Sequence, residues 1–181
     1  WFDRCVDDRE PSKKIIATEY EIDYNASNFP YFNGGLIAGL LEETVLPPRA
    51  AGELVFNPDD QEPIRFEAQE KGKLKLWIML DPRTKGPARD RGYGMGIDIG
   101  FGTGSSNSSA AVADRRTGEK VAEFTVNDMD PGEFAVYCVA LAKWFAGDVG
   151  DGAFMVWEAN GGPGGAFGKK VVATGYRTIY Y

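Results

Sequence analysis

The stretch GMGIDIG, residues 94–100, places one carboxylate, Asp98, in a run that is otherwise apolar or glycine. A second segment of this kind, FMVWEAN at 154–160, carries Glu158. A carboxylate embedded in an apolar strand is costly unless something neutralises it. Hard divalent cations bind oxygen ligands and are one such partner. The two segments therefore predict neighbouring strands whose acidic residues share a metal site, with Asp98 on the central strand.

Short strand-like segments continue after Asp98. Residues 109–113 and 120–126 are rich in small and β-branched residues, and the turn sequence 114–118 joins them. Short runs of this kind, bounded by turn residues, indicate antiparallel strands. Together with the Asp98 strand they predict a three-strand antiparallel meander.

An amphipathic helix is predicted after the meander. Asp130 suits the N-cap, Pro131 suits the first helical position, and Glu133 completes a capping box. The helix is expected to end near Gly147. Apolar residues recur along it at helical spacing and predict a core-facing stripe: Phe134, Cys138, Leu141 and Phe145.

The remaining segments complete the predicted topology. The Glu158 strand is followed by a glycine-rich turn at 161–165, a short helix at 166–174 and a last strand at 177–181. A meander followed by helix, strand, helix and strand predicts an α/β fold of the ribonuclease H-like mixed-sheet type. Because the chain ends inside a strand-like run, we expect this fold to be incomplete at its C-terminus.

The first third of the chain has a different character. Residues 1–30 are charged and then strand-like, whereas proline and glycine are dense from 28 to 65. That density of breakers predicts irregular structure. We therefore expect a separate segment at 1–30, a linker at 31–65 and the ribonuclease H-like domain from 66 to 181.

Composition limits the chemistry that the chain can perform. The 181 residues are 43% hydrophobic and 26% charged, which is ordinary for a folded protein, and none is histidine. A Ser-His-Asp triad, a Cys-His pair or a histidine-ligated zinc site cannot be built within such a chain. Hydrolysis would have to use carboxylates, lysine or metal ions.

The charge distribution bears on possible nucleic-acid binding. The net charge of −7 is unfavourable for phosphate contact, but the basic residues concentrate in the later part of the chain. Arg115 and Arg116 at the hairpin tip, and Lys169 and Lys170 on the short helix, could touch a phosphate backbone. Solvated surface charge is the alternative for each.

Cysteine content and hydropathy favour a reducing location away from membranes. Cys5 and Cys138 are far apart and unaccompanied, so a disulfide framework is not expected. The longest apolar run, 134–142, is too short to span a bilayer, and no secretory signal is visible.

Each candidate site residue also has a purely structural interpretation. Asp98 could be a buried acid that caps the following glycine turn, and Glu158 could be a hydrated acid at a strand end. The loop 100–109 could be a phosphate cradle, since glycines allow backbone N–H groups to approach an anion, or a turn between strands. No Gly-Lys-Ser/Thr follows it, so it is not a Walker P-loop.

Taken together, residues 86–181 resemble the nuclease domain of the large terminase subunit of tailed bacteriophages. The motifs that carry this resemblance are a Pro/Gly loop before Gly96-Ile97-Asp98, the hairpin DRRTGE at 114–119, the helix start DPGEFA at 130–135, and VWEANGG at 156–162. Residues 18–27 resemble the segment that leaves the packaging ATPase of the same protein, which would make 1–30 the end of that ATPase region.

The resemblance implies a metal-dependent DNA endonuclease that cuts concatemeric viral DNA. It assigns Asp98 and Glu158 to two divalent cations, Mg²⁺ or Mn²⁺, with a third ligand beyond Tyr181, so the isolated fragment is expected to be inactive. It implies double-stranded DNA, the portal protein and the small terminase subunit as partners, and a packaging motor that could be oligomeric. The implied location is the cytoplasm of the infected bacterial host, at the procapsid portal vertex.

Two other functions remain open from the sequence. Gly-Ile-Asp-Ile-Gly at 96–100 followed by Thr, Ser and Asn is similar to the first phosphate loop of actin-like and sugar-kinase-like ATPases, which share the ribonuclease H-like core. The second alternative is a non-catalytic docking module of the packaging machine, which the acidic charge would suit.

Overall fold

The structure of the chain, a computed structural model, describes residues 34–147, 150 and 152–180. The segment 1–30 predicted as the end of the ATPase region, Cys5 included, lies outside the described residues, as does Tyr181. The chain divides into two compact units between Leu46 and Pro47. The described part of the first unit contains one helix, α1 (Gly34–Thr44).

Seven strands in the described part of the second unit form one mixed sheet. In chain order they are β1 (Ala50–Phe56), β2 (Pro63–Ala68), β3 (Leu74–Leu76), β4 (Tyr93–Asp98), β5 (Ser108–Asp114), β6 (Lys120–Val126) and β7 (Phe154–Trp157). Their order across the sheet is β2-β1-β3-β6-β5-β4-β7. The helix α2 (Pro131–Trp144) follows β6, and α3 (Gly161–Ala173) follows β7.

The predicted fold class is confirmed. Strands β4, β5 and β6 pair antiparallel in sequence order, which is the expected meander. After α2, the chain returns to the other side of β4, and β7 pairs parallel with it. An antiparallel three-strand meander whose first strand pairs in parallel with the strand after the next helix is the ribonuclease H-like arrangement.

The predicted helix stripe forms the centre of the core. Phe134, Cys138, Leu141 and Phe145 are all fully buried. The Phe124 ring of β6 stacks on Tyr137 of α2, with ring centroids 3.8 Å apart. Complete burial of an aromatic or leucine side chain contributes about 1.5–3 kcal/mol. The contacts between α2 and the sheet are therefore a main source of the unit's stability.

The N-cap predicted at Asp130 is present at the start of α2, and Pro131 is the first helical residue. The Asp130 carboxylate accepts hydrogen bonds from the backbone N–H groups of Gly132 (2.7 Å) and Glu133 (3.1 Å). These bonds satisfy two of the N–H groups that a helix leaves without intrahelical partners. The helix ends at Trp144, three residues before the predicted end.

The predicted linker is wrong for much of 31–65. Residues 50–56 are β1 and Pro63 begins β2, which is the edge strand of the sheet. Proline is tolerated at the first residue of an edge strand because its missing N–H is not needed there. Gly52 of β1 has a packing role, since a Cβ atom on it would lie 2.2 Å from the Glu67 carbonyl oxygen of β2. Both breakers, Gly52 and Pro63, thus have positions inside the sheet.

Two other predicted boundaries differ from the structure. The last strand, expected at 177–181, is reduced among the described residues to an isolated bridge between Met155 and Ile179. The helix expected at 166–174 begins at Gly161, so the glycine-rich segment is its first turn and a half. Tertiary packing of α3 on β7 overrides the low helix propensity of glycine there.

The buried carboxylate of Asp114 joins the β5–β6 turn to the partly exposed Arg91, which lies just before β4. Asp114 is only 1% exposed, and its carboxylate contacts Arg91 Nη1 at 2.8 Å and the backbone N–H of Arg116 at 2.8 Å. The Arg116 N–H and then the Arg91 guanidinium stabilise the charged form, so they lower the pKa of Asp114 below its usual value. The sequence pattern had indicated only a turn position for Asp114.

Asp114→Asn is expected to lower the free energy of unfolding at pH 7 by about 2 kcal/mol, because it removes a charged acceptor from a buried network. The lowered pKa means that this stabilisation is present above the unfolded pKa of about 3.9 and is lost as the pH falls through the folded pKa. Urea unfolding between pH 2 and pH 7 measures it, with Asp59→Asn at an exposed site as the control. A difference between wild type and Asp114→Asn that stays constant over this range would contradict the assignment.

Candidate metal centre

The two predicted acids lie at the same end of the sheet, where β4 and β7 finish. Asp98 is the last residue of β4, and Glu158 directly follows β7. The parallel register pairs Gly96 with Val156 and Ile97 with Trp157, so Asp98 and Glu158 are the next residues along the two strands. Neighbouring strands lie about 4.8 Å apart. The fold therefore brings two residues that are distant in sequence to adjacent strand ends.

The burial argument made from the sequence is wrong for Asp98. Both Asp98 and Glu158 are exposed, whereas the buried face of β4 is formed by Tyr93, Met95 and Ile97. The alternation of a strand turns Asp98 away from the core face, together with the exposed Gly96. Water therefore hydrates Asp98, and no burial cost arises. The electrostatic cost of the pair is the repulsion between two carboxylates on neighbouring strands, about 1 kcal/mol in water at a separation of about 4 Å.

No cationic side chain of the described residues neutralises either acid. Neither Asp98 nor Glu158 takes part in the ion pairs found between described residues: Arg65–Glu67, Lys73–Asp128, Arg91–Asp114, Lys120–Glu123 and Lys143–Glu62. Two hydrated carboxylates side by side match the donor set of Mg²⁺, which keeps several water ligands and often takes only one or two carboxylates. The residues present fit a divalent cation.

Within the described ranges, no group of three or more acidic or cysteine side chains could hold a metal ion. The third ligand predicted beyond Tyr181 lies outside these residues and stays a prediction. The chain as described thus supplies two carboxylate positions, and the other coordination positions would be taken by water or by substrate phosphate.

The N-terminus of α3 adjoins Glu158. Asn160 is the N-cap residue, but its side chain makes no capping hydrogen bond, and the first turn contains no acidic residue. The first N–H groups of a helix lack intrahelical partners and carry a partial positive charge. The ring of Phe101 lies nearby, 3.6 Å from the position of a Cβ atom on Gly162. A partly positive helix end therefore stands beside the two carboxylates.

The glycine-rich loop 100–109 is held by hydrogen bonds within the loop and to the segment after β6. The N–H of Gly100 donates to Ser108 Oγ (3.0 Å), and the N–H of Gly104 donates to the Asn127 carbonyl (2.8 Å). Gly102 has a φ of +73°, and a Cβ atom there would lie 2.3 Å from the Met129 carbonyl oxygen. These contacts favour the interpretation of the loop as a structural turn, because two of its N–H groups are already used.

Two glycines of α3 set the position of the Glu158 segment. A Cβ atom on Gly164 would lie 2.1 Å from the Glu158 carbonyl oxygen, and one on Gly168 would lie 3.1 Å from the Trp157 ring. Trp157 also packs edge-on against Phe167 of α3, with centroids 5.4 Å apart. Sequence reasoning missed this role because it assigned 161–165 to a turn. Pro163 in the first helical turn was the available signal.

The predicted phosphate-contacting residues are not gathered around the acids. Asp114 pairs with Tyr93 at the start of β4, so Arg115 and Arg116 follow β5 at the opposite end of the sheet from Asp98. Five strand residues separate these ends by about 17 Å. Lys169 and Lys170 are exposed in the second half of α3. Any contact of these residues with DNA would therefore lie away from the acidic pair.

Comparisons with known proteins give structural matches only. No protein-family model and no curated protein sequence matches the chain. The structure is similar to the large terminase nuclease of thermophilic phage G20c with bound magnesium, at 22% identity and a TM-score of 0.47 over 74% of this chain and 60% of that one. It is also similar to the large terminase nuclease domain of Thermus phage P74-26, at 21% identity and a TM-score of 0.43, over 71% and 57%.

Both matched structures are large terminase nuclease domains, the family that the sequence resembles. The identity is low, so the likeness concerns the fold, and the chain spans about 60% of the length of the G20c nuclease. In the part of the chain that the structure describes, no helix is both long and apolar enough to cross a membrane.

Gly164→Ala is expected to displace the Glu158 backbone and to lower the free energy of unfolding by about 1–3 kcal/mol, because the added methyl group overlaps the Glu158 carbonyl. Gly165→Ala is the matched control, since a Cβ atom there meets nothing within 4 Å. The control should be as stable as the wild type or up to about 1 kcal/mol more stable. Thermal or urea unfolding of both variants measures the difference, and equal stabilities would show that α3 does not set this contact.

Proposed function

We propose that this chain forms part of a metal-dependent DNA endonuclease centre of a phage packaging terminase. The observation that carries the proposal is the register of β4 and β7, which aligns the unpaired carboxylates of Asp98 and Glu158. Carboxylates at adjacent strand ends suit divalent cations, and the absence of histidine from the sequence leaves carboxylates as the protein's metal ligands. The similarity to solved terminase nucleases agrees with this proposal at the level of the fold.

Asp98 and Glu158 would hold two divalent cations, Mg²⁺ or Mn²⁺. When bound, such cations lower the pKa of a water molecule and stabilise charge on the phosphodiester oxygens. The chain's own contribution is to fix two anionic ligands at one sheet edge and to present the N-terminus of α3 beside them. The unpartnered N–H groups of that helix would attract a phosphate oxygen of the substrate.

The proposed substrate is double-stranded viral DNA in concatemeric form. Its proposed setting is the packaging motor at the procapsid portal vertex, in the cytoplasm of the infected host, with the portal protein and the small terminase subunit as partners. Arg115, Arg116, Lys169 and Lys170 are proposed to contact the DNA backbone at a distance from the acids. They would contribute affinity rather than chemistry, because phosphate contacts position a duplex.

A non-catalytic docking module is the second candidate. The observation that favours it is that the described residues supply only two acids at the candidate centre and contain no larger metal-binding group. The two candidates differ in a measurable way, since a docking module has no need of a cation at Asp98. The actin-like or sugar-kinase-like ATPase is less favoured because two N–H groups of its phosphate loop bond within the fold.

We expect the chain to bind Mn²⁺, and Asp98→Asn and Glu158→Gln each to weaken that binding by about tenfold or more, because each removes one anionic ligand. Isothermal titration calorimetry with MnCl₂ measures the affinity. Glu70→Gln, which removes an exposed carboxylate from the β2–β3 turn, is the control and should bind like the wild type. Equal Mn²⁺ affinity in all four proteins would reject the metal centre and favour the docking module.

Cleavage requires a separate experiment. We expect a chain extended beyond Tyr181 to nick supercoiled plasmid DNA in the presence of Mn²⁺, and the 181-residue chain alone to be inactive. In the extended protein, Asp98→Ala should reduce nicking by at least about 100-fold, because the loss of a charged ligand destabilises the transition state by several kcal/mol. Full activity of Asp98→Ala, with Glu70→Gln as the reference, would refute the assigned role.

A further inference from the structure

The basic loop, residues 81–91, connects β3 to β4 and concentrates positive charge in an acidic chain. Arg83, Lys85 and Arg89 are exposed and form no ion pair with a described residue. The chain as a whole has a net charge of −7. A local cluster of three exposed cations in such a chain indicates attraction for an anion at this loop.

The basic loop has a defined backbone conformation. The Asp81 carboxylate accepts hydrogen bonds from the N–H groups of Arg83 (2.7 Å) and Thr84 (2.9 Å), and the Lys85 N–H donates to the Asp81 carbonyl (2.8 Å). The two N–H donors lower the pKa of Asp81, with that of Thr84 having the larger effect. Asp81 therefore fixes the backbone conformation of the loop, and the two N–H donors stabilise its negative charge.

Two cavities lie along the basic loop. Arg83, Thr84 and Arg89 line an open cavity of about 480 Å³, together with Asp81 and Pro87. Arg89 also lines a second cavity of about 110 Å³, with Lys85 and Arg65. Two guanidinium groups and a hydroxyl on one open concavity match the oxygen atoms of a phosphate, which arginine binds through paired N–H donors.

The lining favours a phosphate backbone over a protein partner. The larger cavity contains no aromatic side chain. Protein interfaces draw most of their affinity from buried aromatic and arginine anchors in closed pockets. An open, charged and non-aromatic concavity is instead typical of contacts to a polymer backbone, which position the nucleic acid without reading its bases.

The basic loop and the acidic pair lie at opposite ends of β4. The loop leads into Tyr93 at the start of the strand, and Asp98 is its last residue. The strand between them spans about 17 Å. Lys85 and Arg89 also share a cavity with Pro63 of β2, the edge strand on the far side of the sheet from β7. The loop cations therefore lie at least about 17 Å from the acidic pair, which is at least about five base pairs of a duplex at about 3.4 Å each.

We propose that the basic loop is a second anchor for double-stranded DNA, in which Arg83, Lys85 and Arg89 bind phosphates at least about five base pairs from the acidic pair. That the substrate is a DNA duplex rests on the proposed function. The loop residues are positioning residues, because they act at a distance from the scissile bond.

Fluorescence anisotropy with a labelled 30-base-pair duplex in EDTA, at several salt concentrations, tests the anchor without cleavage. The variant Arg83→Gln/Lys85→Gln/Arg89→Gln should bind about tenfold or more weakly at 0.1 M salt, with a slope of log K against log[salt] reduced by about 2 to 3. The control Lys71→Gln/Lys75→Gln/Arg177→Gln carries the same charge change at other exposed positions and should keep most of the affinity and slope. The double variant Arg83→Lys/Arg89→Lys retains the charges and should keep the slope.

The remaining outcomes separate this proposal from the proposed function. Asp98→Asn should bind DNA with the wild-type slope, because the basic loop is intact in it. A chain that binds DNA through the loop but takes up no Mn²⁺ would support the anchor and reject the metal centre. Equal losses in the glutamine triple variant and its control would overturn the anchor. Competition by poly-glutamate as strong as by DNA of equal charge would assign the loop to an acidic polypeptide instead, and would also overturn it.

Discussion

The parallel pairing of β4 with β7 is the constraint on which the candidate centre depends. It joins the first strand of the meander to the strand after α2, and its register aligns the positions that carry the two acids. A shift of one residue would turn every side chain of β7 to the other face of the sheet. The register is held by the burial of Met95 and Met155 on the core face, together with the docking of α3 through its glycines. The packing of the apolar core thus determines the geometry of exposed polar residues.

The charges of the second unit are separated along the direction of β4. The acids Asp98 and Glu158 lie at the carboxyl ends of the two parallel strands, whereas Arg115, Arg116 and the basic loop belong to the opposite end. Basic side chains next to the two acids would form ion pairs with them. Their position at the other end leaves both groups free of such ion pairs among the described residues. The net charge of −7 for the whole chain does not reveal this separation of acidic and basic residues.

Much of the fold could be predicted because local signals and packing agree in it. Asp130 and Pro131 specify the start of α2 by their own chemistry, and the stripe from Phe134 to Phe145 specifies its buried face. The glycines and prolines were less informative, because a breaker in the sequence also occurs where two backbones approach closely. Gly52 against Glu67 and Gly164 against Glu158 are of this kind, and the sequence had predicted a linker around Gly52 and a turn around Gly164. A close contact between distant segments leaves no local trace in the sequence.

The sequence by itself determined the kind of chemistry available: with no histidine among the 181 residues, a metal centre built from the two strand-borne acids uses carboxylates. It also determined the order of strands and helices from β4 onward, since turn residues, caps and hydrophobic periodicity act over a few neighbouring residues. Only the tertiary structure decided that Asp98 is hydrated, that residues 50–56 and 63–68 join the sheet, and that the basic loop stands at the far end of β4 from Asp98. These facts depend on strand register and on the direction in which each strand turns its side chains. Both are set by packing between segments that are distant along the chain.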